Sequence, residues 1–314
     1  MNTNTKWFTS LLLLLSLLVP TQGIHAETTL SKGNTPVRFG IVTFYNPRLM
    51  VLRYQPLMDA LASRTGRPFE LVLARNYDET VRQLEKGEID IAYLGPVTFL
   101  RAHRKFGAIP LVRLNTGNSA VFHSVIAVRD DSEIASLEQL AGKRFAFGSP
   151  LSTSSHLFPR LIMFQAGVPP TELGGYVYFR HHDSAARAVL TGDADACGVR
   201  DVVANRYADR GLKVIAKSGP IPNFPLVVHP DASPELVRSL RDALLSFNPA
   251  DSTDMKLLEA LDTEFHEGFA EVSVEEYVPV EEIMKDIFGP KAYSGDPSLP
   301  GAMKPFRFGD VRPR

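Results

Sequence analysis

The stretch Phe69–Tyr93, FELVLARNYDETVRQLEKGEIDIAY, decides how this chain folds. Phe69 to Leu73 is an apolar, β-favouring run and reads as a strand. Asp78 to Lys86 reads as a helix, with Gly87 as its stop. Ile89 to Tyr93 is strand again. A strand joined through a helix to a second strand makes the two run parallel in one sheet, because the helix carries the chain back to the starting edge. Upstream, Val37 to Val42 is a further strand, followed by a loop holding Phe44-Tyr45-Asn46-Pro47. Tyr54 to Thr65 then sets Leu57, Met58 and Leu61 at helical spacing before Gly66. This rhythm predicts a sheet covered by helices on both faces.

Downstream the rhythm resumes. Ser124 to Arg129 is a strand, Asp130 to Leu140 leads into Gly142-Lys143-Arg144, and Phe145 opens a second α/β unit. That unit continues through a helix at 157–165, a strand at 176–179 and a helix at 184–191, then strands at 194–198 and 213–216. Ser218-Gly219-Pro220-Ile221-Pro222 is a stiff connector without helix, and Phe224 to Val228 returns to strand. Two lobes are therefore expected, with the chain crossing near 120–124 and crossing back near 218–224. The predicted division is 36–121 with 224–288 for lobe 1 and 122–223 for lobe 2. A tail, 289–314, is expected to be loosely packed or extended. Ligands of such folds sit in the cleft, at loops that end the strands.

The first 26 residues have the three parts of a secretory signal: Lys6, the apolar run Leu11 to Val19, and Ile24-His25-Ala26 before Glu27. That run is short for a membrane span, and no later stretch approaches one, so the mature chain is expected to lack an integral membrane segment. A periplasmic location follows as an expectation. Cys197 is the one cysteine, so no intrachain disulfide exists, and a buried small residue is its expected role. With 34 basic and 35 acidic residues the net charge is −1, which argues against nucleic acid or an anionic membrane as partner. A small ligand remains.

Leu151-Ser152-Thr153-Ser154-Ser155-His156 follows the strand 144–147 and the turn Gly148-Ser149-Pro150. A Ser/Thr-rich helix start gathers hydroxyls and unpaired N–H groups at the positive end of a helix dipole, which suits an oxyanion. The same residues also suit plain N-capping. His182, beside His181 and Asp183, could cap the helix that follows. A metal reading of His156, His181, His182 and Asp183 is weak, because adjacent histidines project differently and no i, i+4 pair occurs.

In this order, Asp90 to Pro96, Phe122-His123-Ser124-Val125, Ser152 to Ser155, His181-His182-Asp183, Gly192 to Ala196 and Ser218 to Asn223 resemble the phosphonate/phosphite-binding proteins of bacterial ABC transporters. The resemblance covers roughly 37–280. It implies a two-lobed type II periplasmic binding fold of the α/β class. Each lobe would be a mixed, mostly parallel sheet flanked by helices. It also implies that Ser152 and Thr153 hold phosphonyl oxygens, that Ser154 and Ser155 add amides, and that His182 and Tyr77 close on the same oxygens. A histidine near its pKa would give a tunable positive charge. No cofactor or metal is implied.

Two departures from the family bear on the ligand. Phe122 stands where a family tyrosine carries a hydroxyl. Phe224 stands where members that take aminoalkyl phosphonates place an acid, and a second such acid falls near Asp201 or Val202. An ammonium buried against Phe224 would lack its carboxylate. The expected ligand is a small oxyanion such as phosphite, methylphosphonate or phosphate. The expected output is capture for an ABC permease by a monomer; the alternative is a sensing partner of a membrane histidine kinase. An enzyme is disfavoured: no Gly-x-Ser-x-Gly turn and no acidic orienter accompany the serine and histidine.

Overall fold

The computed structural model describes residues 35–43, 45–115, 121–261 and 263–298; the signal-like segment lies outside them. Numbered in chain order, strands β1 (Val37–Ile41), β2 (Phe69–Leu73), β3 (Ile91–Tyr93), β4 (Ile109–Leu114), β12 (Pro225–Val228) and β13 (Phe269–Ala270) form one sheet, ordered β13-β4-β12-β3-β1-β2. A second sheet, β10-β6-β9-β7-β8, takes β6 (Ser124–Arg129), β7 (Arg144–Phe147), β8 (Gly175–Tyr178), β9 (Ala196–Arg200) and β10 (Leu212–Lys217). The parallel pairs are β1 with β2 and β3, and β7 with β8 and β9; β2 and β3 run parallel in one sheet but lie on opposite sides of β1. The remaining pairs are antiparallel: β12 and β13 come from the returning chain, and β6 enters the second sheet from the crossing. This is a two-sheet α/β fold with mixed sheets.

Helices α1 (Pro47–Thr65), α2 (Tyr77–Glu85), α3 (Pro96–Phe106), α7 (Pro234–Leu245), α8 (Ser252–Ala260) and α9 (Val278–Phe288) accompany the first sheet. The second is accompanied by α4 (Phe158–Gln165), α5 (His182–Leu190) and α6 (Asp201–Ala208). Helix α1 begins seven residues before the apolar periodicity, because Asn46 accepts from the Leu49 N–H and Pro47 presets the first turn. Between 130 and 140 only a short 3₁₀ turn forms, at 138–140.

One polar clamp occurs twice. Arg38, at the start of β1, donates to both oxygens of Asp90 at 3.1 Å and to the Gly87 carbonyl at 2.6 Å, and its backbone N–H meets Asp90 at 2.8 Å. Arg144, at the start of β7, does the same with Asp195 and the Gly192 carbonyl. Gly87 and Gly192 take positive φ, 65° and 78°, which the tight turn into each strand requires. Each sheet thus ties a strand, β1 or β7, to the segment entering its parallel neighbour, β3 or β9, by a charge-assisted fork.

Two short strands, β5 (Val121–Phe122) and β11 (Ile221–Pro222), pair antiparallel and join the two bodies. Beside this ribbon the Ser218 N–H donates to the Ser124 carbonyl at 2.9 Å, and Ser218 Oγ accepts from the Ser124 N–H at 3.0 Å. The segment after α9 is not loose as far as 298. Arg101 donates to the carbonyls of Lys291, Ala292 and Gly295, and the Tyr293 hydroxyl donates to Glu281. Arg160, from the second body, donates to the Ile287 and Pro297 carbonyls. Composition suggested a loosely packed or extended tail over 289–314; guanidinium groups supplied from distant helices hold its part up to 298, and 299–314 lies outside the described residues.

Gly148 ends β7 against the next helix, where an added Cβ would lie 2.5 Å from Ser155 Oγ and 2.7 Å from its Cβ. Gly148→Ala is expected to lower stability by about 1–3 kcal/mol through overpacking. Gly219→Ala, with nothing within 4 Å, is expected to be close to neutral. Denaturant melts of the two variants check this.

Candidate functional site

After Gly148 the chain enters a widened turn, Thr153–Leu157, where the Leu157 N–H reaches the Ser152 carbonyl five residues back at 3.1 Å. Ser152 caps it, its Oγ accepting from the Ser155 N–H at 3.1 Å. The N–H groups of Thr153 and Ser154 begin the turn and have no intrahelical acceptor. Neighbouring strands hold the turn in place. Ser155 Oγ donates to the Gly198 carbonyl, and Ser124 Oγ donates to that of Ser154 at 2.7 Å. The amide of Ser155 is therefore engaged within the scaffold. Ser154 Oγ is buried and has no partner among the described residues.

His182 opens α5 and is buried. Its Nδ1 accepts from the Arg200 backbone N–H at 3.2 Å, so the proton sits on Nε2 and is donated to Ser152 Oγ at 3.0 Å. Burial, then the positive charge of Arg200, pushes the imidazole down to about 3. This corrects the expectation of a tunable charge: the site is buried beside a permanent cation, and His182 is a neutral donor. Ser152 passes the polarity on through a hydrogen bond with the Tyr77 hydroxyl, whose own pKa burial raises. Tyr77 comes from the first body, at the start of α2.

Other contacts close the cleft. The Val97 N–H, in the first turn of α3, donates to Thr153 Oγ1 at 3.0 Å. His181 Nδ1 donates to the Thr43 carbonyl at 2.9 Å, and Arg206 donates to the Tyr45 hydroxyl at 2.8 Å. A Cβ at Gly95 would lie 3.3 Å from the Phe224 ring and 3.5 Å from Thr153 Oγ1, so that ring edge borders the hydroxyl cluster. Beside Tyr77 a cavity of about 370 Å³ runs between Asn76, Arg101, Ser149 to Leu151 and the 295–297 segment.

Phe122 and Phe224 come together, with centroids 5.1 Å apart, and the Arg200 guanidinium lies 4.5 Å from each ring centroid. Arg200 is buried at the end of β9; it pairs with the buried carboxylate of Glu264 and donates to Asn223 Oδ1 at 3.2 Å. Burial opposes its charge most, and Glu264 together with Tyr93, Asp201 and Tyr45 more than offsets that. The Tyr54 hydroxyl donates to the other Glu264 oxygen at 2.5 Å, and Tyr93 packs on Phe224 at 5.1 Å.

Of the residues singled out from sequence, Tyr77, Ser152, Thr153, Ser154, His182, Phe122 and Phe224 meet here. Asp201 does not: its carboxylate accepts from the backbone N–H groups of His123 and Val202, securing the ribbon. Arg200, Glu264, Tyr93 and Ser124 were not singled out. An arginine directly after the buried apolar run Ala196–Val199 was the one available signal. The histidines that invited a metal reading have other partners. His156 donates to the Pro150 carbonyl at 2.8 Å and accepts from Tyr178, His181 reaches Thr43, and Asp183 pairs with Arg206. Cys197 is buried in β9, which pushes its thiol up to about 12.

Burial also pushes His156 down to about 3. Both imidazoles are neutral in the folded chain and become protonated on unfolding below about pH 6.5. Their contribution is complete above that pH and is lost progressively as pH falls toward 3. Unfolding at pH 5 is expected to take up about two protons on their account. Calorimetric melts in buffers of differing ionisation enthalpy measure this uptake; an imidazole NMR titration of the folded protein should show no step for His182 between pH 8 and 5.

Among solved structures, a binding protein component of an ABC phosphonate transporter from Pseudomonas aeruginosa superimposes with a TM-score of 0.74 at 23% identity, covering 82% of this chain and 88% of that one. PhnD1 from Prochlorococcus marinus, in complex with methylphosphonate, gives 0.72 at 20%, covering 80% and 97%. At that identity the likeness concerns the fold, which is the type II periplasmic binding architecture. The phosphate-import protein PhnD of Mycolicibacterium smegmatis is 28% identical over 212 residues, 60% of this chain and 64% of that protein. The chain therefore spans less than two thirds of that curated relative. The sequence model described as "ABC transporter, phosphonate, periplasmic substrate-binding protein" matches residues 39–277, and the chain belongs to that family.

Proposed function

We propose that this chain is an exported, periplasmic receptor that closes two lobes, 36–121 with 224–288 and 122–223, on a small phosphorus oxyanion and presents the closed form to an ABC permease. Phosphite, methylphosphonate and phosphate are the candidate ligands. The observation that carries this reading is the buried Ser154 hydroxyl, which has no partner among the described residues, beside the first-turn N–H groups of Thr153 and Ser154. Neutral donors converging on a helix start suit a tetrahedral oxyanion. The names of the relatives supply the phosphorus: one imports phosphate and one is seen with methylphosphonate.

Closure follows from which body supplies each donor. Ser152, Thr153 and His182 belong to the second sheet's body, and Tyr77 and the α3 start to the first. A ligand touching both stabilises the closed arrangement by its differential affinity. The dyad of Ser152 and His182 does not suit catalysis: Nε2 carries its proton toward Ser152, so the imidazole has no lone pair there to act as base. Transport, rather than turnover, is the output this geometry serves.

Calorimetry of the ligand-stripped chain against phosphite, methylphosphonate, phosphate and sulfate is expected to show tight binding to one phosphorus anion. Ser152→Ala and Thr153→Ala are each expected to weaken it about tenfold or more, since a hydrogen bond to a charged group contributes about 1.5–3 kcal/mol. Equal affinity in both variants, or no binding across the panel, overturns the reading. Ligand-dependent ATP hydrolysis by the reconstituted permease separates transport from presentation to a sensor kinase.

A further inference from the structure

Helix α9 and the segment after it touch both bodies away from the ribbon. On the first body, Arg104 and the Tyr293 hydroxyl bond to Glu281, and Arg101 donates to the carbonyls of Lys291, Ala292 and Gly295. On the second, Arg160 of α4 donates to the Ile287 carbonyl at 3.1 Å and to the Pro297 carbonyl at 3.2 Å. Ile287 lies in the last turn of α9, where carbonyls lack intrahelical donors and form the negative end of the helix dipole. A guanidinium is suited to that end, and Arg160 pairs with no carboxylate among the described residues. Phe288 is buried and stacks on the buried His156 ring, with centroids 5.6 Å and planes 17° apart. Gly295 to Pro297 wall the cavity beside Tyr77 together with Ser149 to Leu151 of the second body.

His156 belongs to the widened turn Thr153–Leu157, and α4 continues that turn without a break. It also holds the Pro150 carbonyl, in the loop that leads into the turn. Resting on the receptor reading above, we propose that residues 287–297 form a latch, with Arg160 and Phe288 as positioning residues. The latch holds the second body's donor turn against the first body in the closed state and slows the release of a captured anion. Opening the cleft carries the turn and α4 away from α9 as one unit. Phe288 must then leave His156, which exposes both rings, and the two charge-assisted bonds of Arg160 must break. Arg160 and Phe288 are not members of the hydroxyl cluster, so the latch sets how long the cleft stays shut and not which anion fits. An anion enters the open form, in which the latch is already undone, so losing the latch acts on dissociation and hardly on association.

The test labels the full chain at Glu88→Cys and Lys143→Cys, exposed positions on the two bodies, while Cys197 is buried and competes poorly for label. Energy transfer then reads the distance between the bodies, without ligand and with methylphosphonate, in the parent, Arg160→Met, Arg101→Met and the double variant. Arg160→Met keeps an apolar stem and loses both bonds. Its ligand-free distances are expected to shift toward the open form, and methylphosphonate is expected to leave about tenfold faster, with association changed less than about threefold. Arg101→Met frees only the arm that runs to Pro297. A smaller effect is expected there, and in the double variant none beyond that of Arg160→Met. The relative affinities for methylphosphonate, phosphite and phosphate are expected to hold throughout. Unchanged ligand-free distances or an unchanged dissociation rate in Arg160→Met overturns the proposal, as do additive effects in the double variant or an altered anion preference.

Should Arg160→Met fail to fold, Phe288→Leu takes its place, since it keeps apolar bulk and loses the stack on His156. Release must then quicken in the same way, and a rate held at the parent value is again fatal. The two readings fail differently. A parent that binds no phosphorus anion refutes the receptor reading, while the ligand-free distances of Arg160→Met still decide the latch. Tight binding of methylphosphonate with release untouched in Arg160→Met refutes the latch alone.

Discussion

A buried imidazole that must remain neutral organises the cleft. His182 faces a backbone donor on one side and a serine hydroxyl on the other, and only the Nε2-protonated tautomer satisfies both. Protonation would bring the Arg200 N–H against an N–H and add a charge beside a guanidinium. With the tautomer settled, Ser152 has one direction in which to hold its oxygen. The cap it forms sets the widened turn, which leaves the Thr153 and Ser154 N–H groups without intrahelical acceptors. The site's donor geometry thus depends on a residue that contributes no charge.

The charge lies elsewhere and is permanent. Arg200 and Glu264 come from opposite bodies and are both buried, and Tyr54, Asn223 and two phenyl rings supply the contacts such a pair needs. A buried ion pair is weak evidence for stability, yet it is costly to leave half-made. It therefore serves better to set how the two bodies register than as glue. The hydroxyl cluster and the aromatic pair beside Arg200 adjoin at the Phe224 edge, across Gly95.

Much of this was legible in the chain. The parallel strands follow from Phe69–Leu73 and Ile91–Tyr93 flanking a glycine-stopped helix, and the buried hydroxyl cluster follows from four consecutive hydroxyl residues after Gly148-Ser149-Pro150. Phe122 and Phe224 were recognisable as departures from the family because each lacks an expected polar group. The charge state of His182 was not legible, since it depends on burial and on a guanidinium brought near by β9. Nor was the Arg200–Glu264 pair, whose members stand 64 residues apart with no local pattern to link them. Asp201 shows the converse. An acid beside the site in sequence faces the backbone of the ribbon, because it begins α6 with its carboxylate turned toward His123.

The repeated Arg–Asp fork has a mechanical consequence. Arg38 with Asp90 and Arg144 with Asp195 brace equivalent corners of the two sheets, so each sheet behaves as a stiff plate. Compliance is then concentrated in the two-residue strands β5 and β11 and the hydroxyl contacts beside them. A bending load applied at the cleft twists that narrow strip and leaves the plates unbent. A turn of one body on the other would then reach the outer rims as a rotation of whole sheets.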